Sequence, residues 1–523
     1  MTDNTLRKIA IIGGSRIPFC RSNSLYADQT NLNMLASAIQ GVVDRFDLNG
    51  KRVDQVLAGA VTTHSKDWNL AREALLSTGL SPLTSGITLQ QACGTSLQGA
   101  LLAGSQIASG QIDSAIVGGT DTTSDAPIVF QRRFAQRMIK LSKARSFGQK
   151  LGVFKGFGPG ELVPQAPRNA EPRTGLSMGQ HCERMAREWS INREEQDQLT
   201  LESHRKAAAA WDSGFFDDLV KPHNGVIRDN IVRPDTNLDK LGSLKPVFDR
   251  RSGTLTAGNS STLTDGAAAV LLASEEWAKA NDLPVAAWLT FGRTASVDFV
   301  DGDEGLLMAP AVAVSEMLSR AGLDLQDFDF YEIHEAFAAQ VLCTLKAWES
   351  ESYCRERLGR KKALGSIDRS KMNVRGGSVA MGHPFAATGA RILGTLASIL
   401  EEAGSGRGLI SICTAGGMGV SAILERQLPE APKSQQSDKA EVKVTKKTRA
   451  KATKKAKART SKKTTAKKSQ KPTESEKPSE SEKPQKPEQP EEPVKSKEPE
   501  KPGRKDSVTR QTENKPEGET GDD

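Results

Sequence analysis

The chain lacks the marks of several large protein classes. Its six cysteines, at positions 20, 93, 182, 343, 354 and 413, form no C-x-x-C pair and no metal-like spacing. That argues against a disulfide framework and for a reducing compartment. No apolar run reaches membrane-spanning length. Residues 1–8 are polar and lack the apolar core of a signal peptide, so a cytoplasmic protein is expected. The G-x-G-x-x-G and Walker patterns are missing, and Gly13-Gly14 reads as a plain turn rather than a phosphate cradle. Histidine is scarce as well, six in 523 residues, so the position of each one is informative.

The net charge of +8 is held unevenly. Residues 443–471 carry 14 Lys or Arg and no acid, and residues 472–523 carry ten basic and 15 acidic residues. That leaves −1 for residues 1–442. From 429 to 523 large apolar residues all but vanish in favour of Lys, Glu, Pro, Ser and Thr, and this tail is expected to be disordered. Within it, 443–471 resembles the Lys/Ala-rich tails of histone-like bacterial proteins. Having no aromatic residue to stack on bases, it would bind polyanions without specificity and sensitively to salt, or serve as a solvated linker.

What the remainder holds is an alternation of strands and helices. The apolar pattern predicts strands at 8–13, 53–61, 85–89 and 113–117, and helices at 31–46, 67–78 and from 97 onward. A helical pattern fills 178–210, and 255–272 is a small-residue turn entering a buried strand. Strands follow at 284–289, 328–333, 372–374 and 408–412, with helices at 306–320 and around Ile392, Leu393, Leu396 and Leu400. Segments 85–121 and 372–419 match each other. Each is strand, turn with a reactive residue (Cys93, His383), apolar helix, strand and Gly-Gly turn. The expectation is an α/β protein of two similar halves, 1–280 and 281–428, whose turns share one crevice at the carboxyl ends of the strands. Residues 125–250 form an insertion in the first half. Its 125–175 portion interleaves Arg132, Arg133, Arg137, Lys140 and Lys143 with Phe130, Phe134 and Leu141. It is read as a basic amphipathic helix with a mobile Gly-rich loop. The helix is either solvated over a substrate cleft or a docking surface for a partner subunit or anionic lipid.

Cys93 closes a strand and opens a helix. Unpaired N–H groups and the positive end of the helix dipole favour a thiolate there, although a cysteine is as often a small buried apolar residue. His334, His383 and Cys413 stand at corresponding turns. Zinc is one use of such a set. A cysteine nucleophile with a histidine base is better supported, with Cys413 as a second acid/base and the glycine-rich backbone after it as oxyanion donors. These groups suit acyl transfer from a thioester, with a carbon acid generated or consumed.

Gln91-Ala92-Cys93-Gly94, His334-Glu335-Ala336-Phe337, Gly382-His383-Pro384 with Thr388-Gly389-Ala390-Arg391, and Cys413-Thr414-Ala415-Gly416-Gly417-Met418-Gly419 resemble the motifs of the thiolases, in order, over about 8–426. The His334 form of its motif, with Ala415, is similar to the β-subunits of fatty-acid oxidation multienzyme complexes. The resemblance implies a layered αβαβα fold with two mixed five-stranded sheets and a loop domain. It implies that Cys93 attacks the 3-keto carbon of a 3-ketoacyl-CoA and that His383 deprotonates Cys93 and then CoA. Cys413 would protonate the acetyl-CoA enolate. His334 would hold the thioester oxygen directly or through water, with the N–H groups of Cys93 and Ala415 as the second oxyanion hole. Met178 and Ser261 would line the CoA and acyl pocket. CoA would be a substrate, with no cofactor and no metal. A homodimer and an α-subunit with hydratase and dehydrogenase activities are the implied partners. The alternatives are a biosynthetic acetoacetyl-CoA thiolase and a non-catalytic thiolase-like scaffold with a polyanion-binding tail.

Overall fold

The computed structural model describes residues 6–427. The expected disordered tail, 429–523, and its polyanion segment 443–471 lie outside the described residues. The first half contributes β1 (Ile9–Arg16), β2 (Cys20–Arg21), β3 (Gln55–Gly59), β4 (Ser85–Thr88), β5 (Ser114–Asp121) and β6 (Thr264–Ser274). The second contributes β7 (Ala287–Ser296), β8 (Phe330–Ile333), β9 (Gly406–Thr414) and β10 (Met418–Arg426). The first helices are α1 (Asn31–Arg45), α2 (Leu70–Leu76) and α3 (Thr95–Ala108). Between β5 and β6 lie α4 (Arg132–Lys143), α5 (Phe147–Val153), α6 (Met178–Glu188), α7 (Arg193–Asp212) and α8 (Leu238–Gly242). Then come α9 (Glu275–Ala280), α10 (Ala309–Ala321), α11 (Ala338–Glu349), α12 (Glu351–Glu356), α13 (Ser378–Met381) and α14 (Thr388–Ala403).

The strand order is β4-β3-β5-β6-β1-β7-β10-β9-β8, with β2 added on β6. Each half has parallel pairs at its outer edge and antiparallel pairs toward the middle: β3 with β4 and β5, then β5-β6-β1, against β8 with β9, then β9-β10-β7. The predicted repeat is therefore visible in the pairing. Two details differ from expectation. The halves are not separate sheets, because Ala10 pairs Trp288 and Ile11 pairs Ala287. The expected strand at 372–374 is reduced to one parallel bridge between Met372 and Tyr331. Asn373 has φ +46 and spends its side chain on Ile333 and Glu335, which breaks the extended backbone a strand needs.

Three apolar cores set the layers. One packs α1 and α2 on the first half of the sheet, and another packs α10 and α11 on the second. Between them, Leu97, Ala100 and Ile107 of α3 and Leu393, Leu396 and Leu400 of α14 meet Val117 and Val270 from one half and Ile412 and Val420 from the other. Buried nearly all round, α14 is a core helix rather than a surface one. Small residues let it approach its neighbours. A side chain at Gly389 would fall on the Leu97 amide, where α3 and α14 cross. Gly389→Ala is expected to cost about 1–3 kcal/mol of stability and to pry the two helix starts apart. Thermal unfolding of that variant beside Gly394→Ala, whose neighbours stand at ordinary contact distance, measures it.

The helical pattern over 178–210 is two helices. Trp189 ends α6, Ser190 takes φ +51, and Asn192 caps α7 with a reciprocal capping box to Glu195. The basic segment likewise holds two helices, α4 and α5, neither with a buried residue. Among the described residues no helix is long and apolar enough to cross a membrane.

Candidate active site

The turn that presents Cys93 is built by local bonds. Ala92 is held at φ +46, Thr95 Oγ1 donates to the Ala92 carbonyl at 2.7 Å, and the Gln91 N–H returns to Thr95 Oγ1 at 2.8 Å. A positive φ at a residue with a Cβ is a cost that its surroundings must offset. The result brings the sulfur within reach of a side chain from the second half.

His383 arrives from the other half. Gly382, at φ +98, turns the chain after α13, and the His383 N–H is fixed by Thr264 Oγ1 at 3.0 Å. Its Nε2 lies 3.1 Å from Cys93 Sγ, and its Nδ1 lies 2.6 Å from Thr388 Oγ1. Around this pair the halves are bolted together. Ser96 Oγ donates to the Ala386 carbonyl at 2.5 Å and accepts from the Ala390 N–H at 2.8 Å. Buried Asp121 accepts from the Ala386 N–H at 2.8 Å and from the backbone of Val61 and Thr62.

His334 follows β8 and its ring centroid is 4.2 Å from that of His383. Cys413 is the penultimate residue of β9, 1 % exposed, and close enough to Cys93 that a Cys93 thiolate would oppose its ionisation. The N–H groups of Ala415 and of Cys93 itself bear on the Cys93 sulfur and favour its charged form. The loop carrying Ala415 is anchored by Glu171, which accepts from the Gly416 N–H at 2.8 Å. The four expected catalytic side chains thus converge, and so do both expected oxyanion donors. Met178 opens α6 and packs, partly buried, against the core that holds Cys413. Ser261 donates its N–H to the Ala336 carbonyl at 3.0 Å, which puts it beside the His334 motif.

The charge state differs from the expected thiolate. Burial pushes the Cys93 thiol up to about 12, with Asp121 adding to the rise, and outweighs the N–H groups that favour ionisation. Burial, then Arg391, drives His383 down to about 3. Both shifts oppose charge, so the resting pair is neutral. The Cys93 S–H is donated to His383 Nε2, and the Nδ1–H of His383 goes to Thr388 Oγ1. The N–H groups of Ala415 and Cys93 favour ionisation, and desolvation outweighs them. Burial also holds Cys413 protonated and His334 neutral.

Cys93, His334 and His383 bring their donor atoms within 4.8 Å of one another, and three such groups are able to ligate a metal ion. Two of the three donor atoms are already engaged with each other, S–H to Nε2, which is the arrangement of a proton-transfer pair. Sequence reading gave no role to Asp121, Glu171, Ser378, Thr388 or Arg391. Ser378, Thr388 and Arg391 stand close in sequence to His383. The reach of Asp121 to Ala386 has no local signal.

The chain matches the family models "Thiolase, N-terminal domain" over residues 9–276 and "Thiolase, C-terminal domain" over 288–426. It is 40 % identical over 424 residues to a 3-ketoacyl-CoA thiolase of Yersinia pestis, covering 80 % of this chain and 97 % of that protein. Among solved structures it resembles the Bacillus anthracis acetyl-CoA acetyltransferase at TM-score 0.67 and 29 % identity, over 81 % of this chain and all of that one. It resembles human mitochondrial 3-ketoacyl-CoA thiolase in complex with CoA at TM-score 0.67 and 27 % identity, over 81 % of this chain and 98 % of that one. With its two-part match and its converging cysteines and histidines, the chain belongs to the thiolase family of acyltransferases.

Proposed function

We propose that this thiolase cleaves 3-ketoacyl-CoA with CoA, in fatty-acid β-oxidation, through an acyl group carried on Cys93. The observation that carries the reading is the 3.1 Å contact between Cys93 Sγ and His383 Nε2. His383 takes the thiol proton as the sulfur attacks the keto carbon, so charge appears only when there is an acceptor for it. As the carbon–carbon bond breaks, Cys413 gives its proton to the acetyl-CoA enolate, and the proton that His383 took from Cys93 restores the Cys413 thiol. CoA then enters as a thiol, neutral His383 takes its proton as the CoA sulfur attacks the Cys93 thioester, and that proton returns to the Cys93 sulfur as the shortened acyl-CoA leaves. The N–H groups of Cys93 and Ala415, which bear on the free sulfur, are placed to hold the thioester oxygen once the sulfur is acylated. Met178 and Ser261 are assigned to the CoA and acyl pocket, and CoA is a substrate rather than a cofactor.

We divide the body into halves at 280/281 and place the insertion at 125–250. The homodimer and the hydratase/dehydrogenase partner are carried by the family resemblance alone. Mass spectrometry after brief mixing with a 3-ketoacyl-CoA tests the mechanism. The expected result is an acyl adduct on the peptide containing Cys93, discharged by CoA. An adduct on Cys413, or none with turnover continuing, would remove Cys93 from its role.

A further inference from the structure

Behind His334 lies a set of buried polar groups that the reaction as described leaves unused. Arg391, 3 % exposed, projects from α14 and donates from Nη2 to Ser378 Oγ at 2.7 Å. Ser378, fully buried at the start of α13, is in turn 2.9 Å from His334 Nδ1. A guanidinium has only protons to give, so Ser378 Oγ is its acceptor. The Ser378 hydroxyl proton then has His334 Nδ1 as its one side-chain partner among the described residues. Nδ1 accepts, and the single proton of the neutral ring sits on Nε2. That Nε2 is buried and has no hydrogen-bond partner among the described residues, on a ring that brings a nitrogen within 4.8 Å of the Cys93 sulfur and of a His383 nitrogen.

His383 is wired the other way, with Nε2 accepting from Cys93 and Nδ1–H given to Thr388. Two neighbouring imidazoles, their centroids 4.2 Å apart and their planes tilted by 51°, therefore carry opposite tautomers. We propose that Arg391 and Ser378 are positioning residues that fix His334 as an Nε2–H donor aimed at the reacting oxygen, and so leave His383 as the only base in the site. Glu332, 3.8 Å from Arg391 Nη1 and as deeply buried, keeps the guanidinium from turning away. The fixed cation also disfavours an imidazolium on either ring, which agrees with the downward shift of both. The identity of the oxygen, a thioester or keto oxygen, rests on the proposed thiolase reaction. The tautomer does not.

The test is nitrogen-15 NMR of histidine-labelled full-length protein, assigned with His334→Asn, together with steady-state thiolysis. In the unaltered protein His334 Nε2 is expected to carry the proton, and in Ser378→Ala the ring is expected to become a mixture of tautomers. The same change is expected to lower kcat on the order of 100-fold, the scale of losing one aligned oxyanion donor, with KM within about threefold. Ser378→Thr keeps the hydroxyl and should recover activity to within about fivefold. If Ser378→Ala does not fold, the unaltered protein's spectrum and Ser378→Thr decide the matter. A proton on Nδ1 of His334 in the unaltered protein overturns the proposal, and so does Ser378→Ala turning over within twofold of normal. Absence of any acyl adduct would instead overturn the reaction and leave the tautomer result standing.

Discussion

Cys93→Ser is expected to lower thiolysis by a factor of at least about 10⁴, the scale seen when the nucleophile of a concerted catalytic set is removed. The two side chains differ by one atom and fit the same turn, so the fold should tolerate the change. The chemistry should not. His383 is driven down to about 3 by burial and by Arg391, which makes it a weak base. It is able to take a thiol proton only because attack on the carbonyl proceeds in the same step, with the N–H groups of Cys93 and Ala415 opposing the cost. A serine hydroxyl is several orders of magnitude harder to ionise than a thiol, and the same base cannot make up the difference. Near-ultraviolet circular dichroism should overlay the unaltered protein, while the Cys93 peptide gains no acyl mass. Retention of more than a tenth of the activity would show that the acyl group is carried elsewhere.

The parts of this site that sequence made legible are those set by local pattern. Cys93 at a strand-to-helix turn follows from Ile87 and Leu89 before it and the apolar face of α3 after it. The matching arrangement around His383 and Cys413 makes the repeat legible from the sequence alone. Strand 372–374 misled because three apolar-flanked residues carry too little pattern, and Asn373 bends out of line to serve Ile333 and Glu335. The break between α6 and α7 has a signal in Asn192-x-x-Glu195, masked by the apolar stripe that continues across it. β10 and α11 follow their motif turns directly, with no polar break to mark where each begins. The protonation state was the deeper loss. A helix N-terminus is visible in sequence, whereas the desolvation that overrides it comes from residues hundreds of positions away. Asp121 belongs to the same class, since it faces Ala386 across 265 residues.

His383→Gln is expected to slow thiolysis about 10³-fold at pH 7 and to make the remaining rate depend on pH in a way the unaltered enzyme's does not. Glutamine reaches toward the same sulfur without accepting its proton. In the unaltered protein the thiol is shifted up and the imidazole down, so neither group of the free enzyme titrates between about pH 5 and 9. This pair should therefore put no step into kcat/KM across that window, because it enters every turnover as thiol and neutral imidazole, and a step near pH 6 would belong to buried Asp121, which desolvation raises to about 6. The variant has no internal base. Its thiol remains pushed up by burial and by Asp121, and only the small ionised fraction reacts. That fraction grows tenfold with each pH unit below the thiol's pKa, and so should the variant's rate, narrowing the deficit from pH 6 to pH 9. Alkylation of Cys93 by iodoacetamide should climb with the same slope in both proteins. An alkylation rate already at its plateau at pH 6 in the unaltered enzyme would mean a standing thiolate–imidazolium pair. The burial of Cys93 and His383 would then have been outweighed by the N–H groups of Cys93 and Ala415 after all.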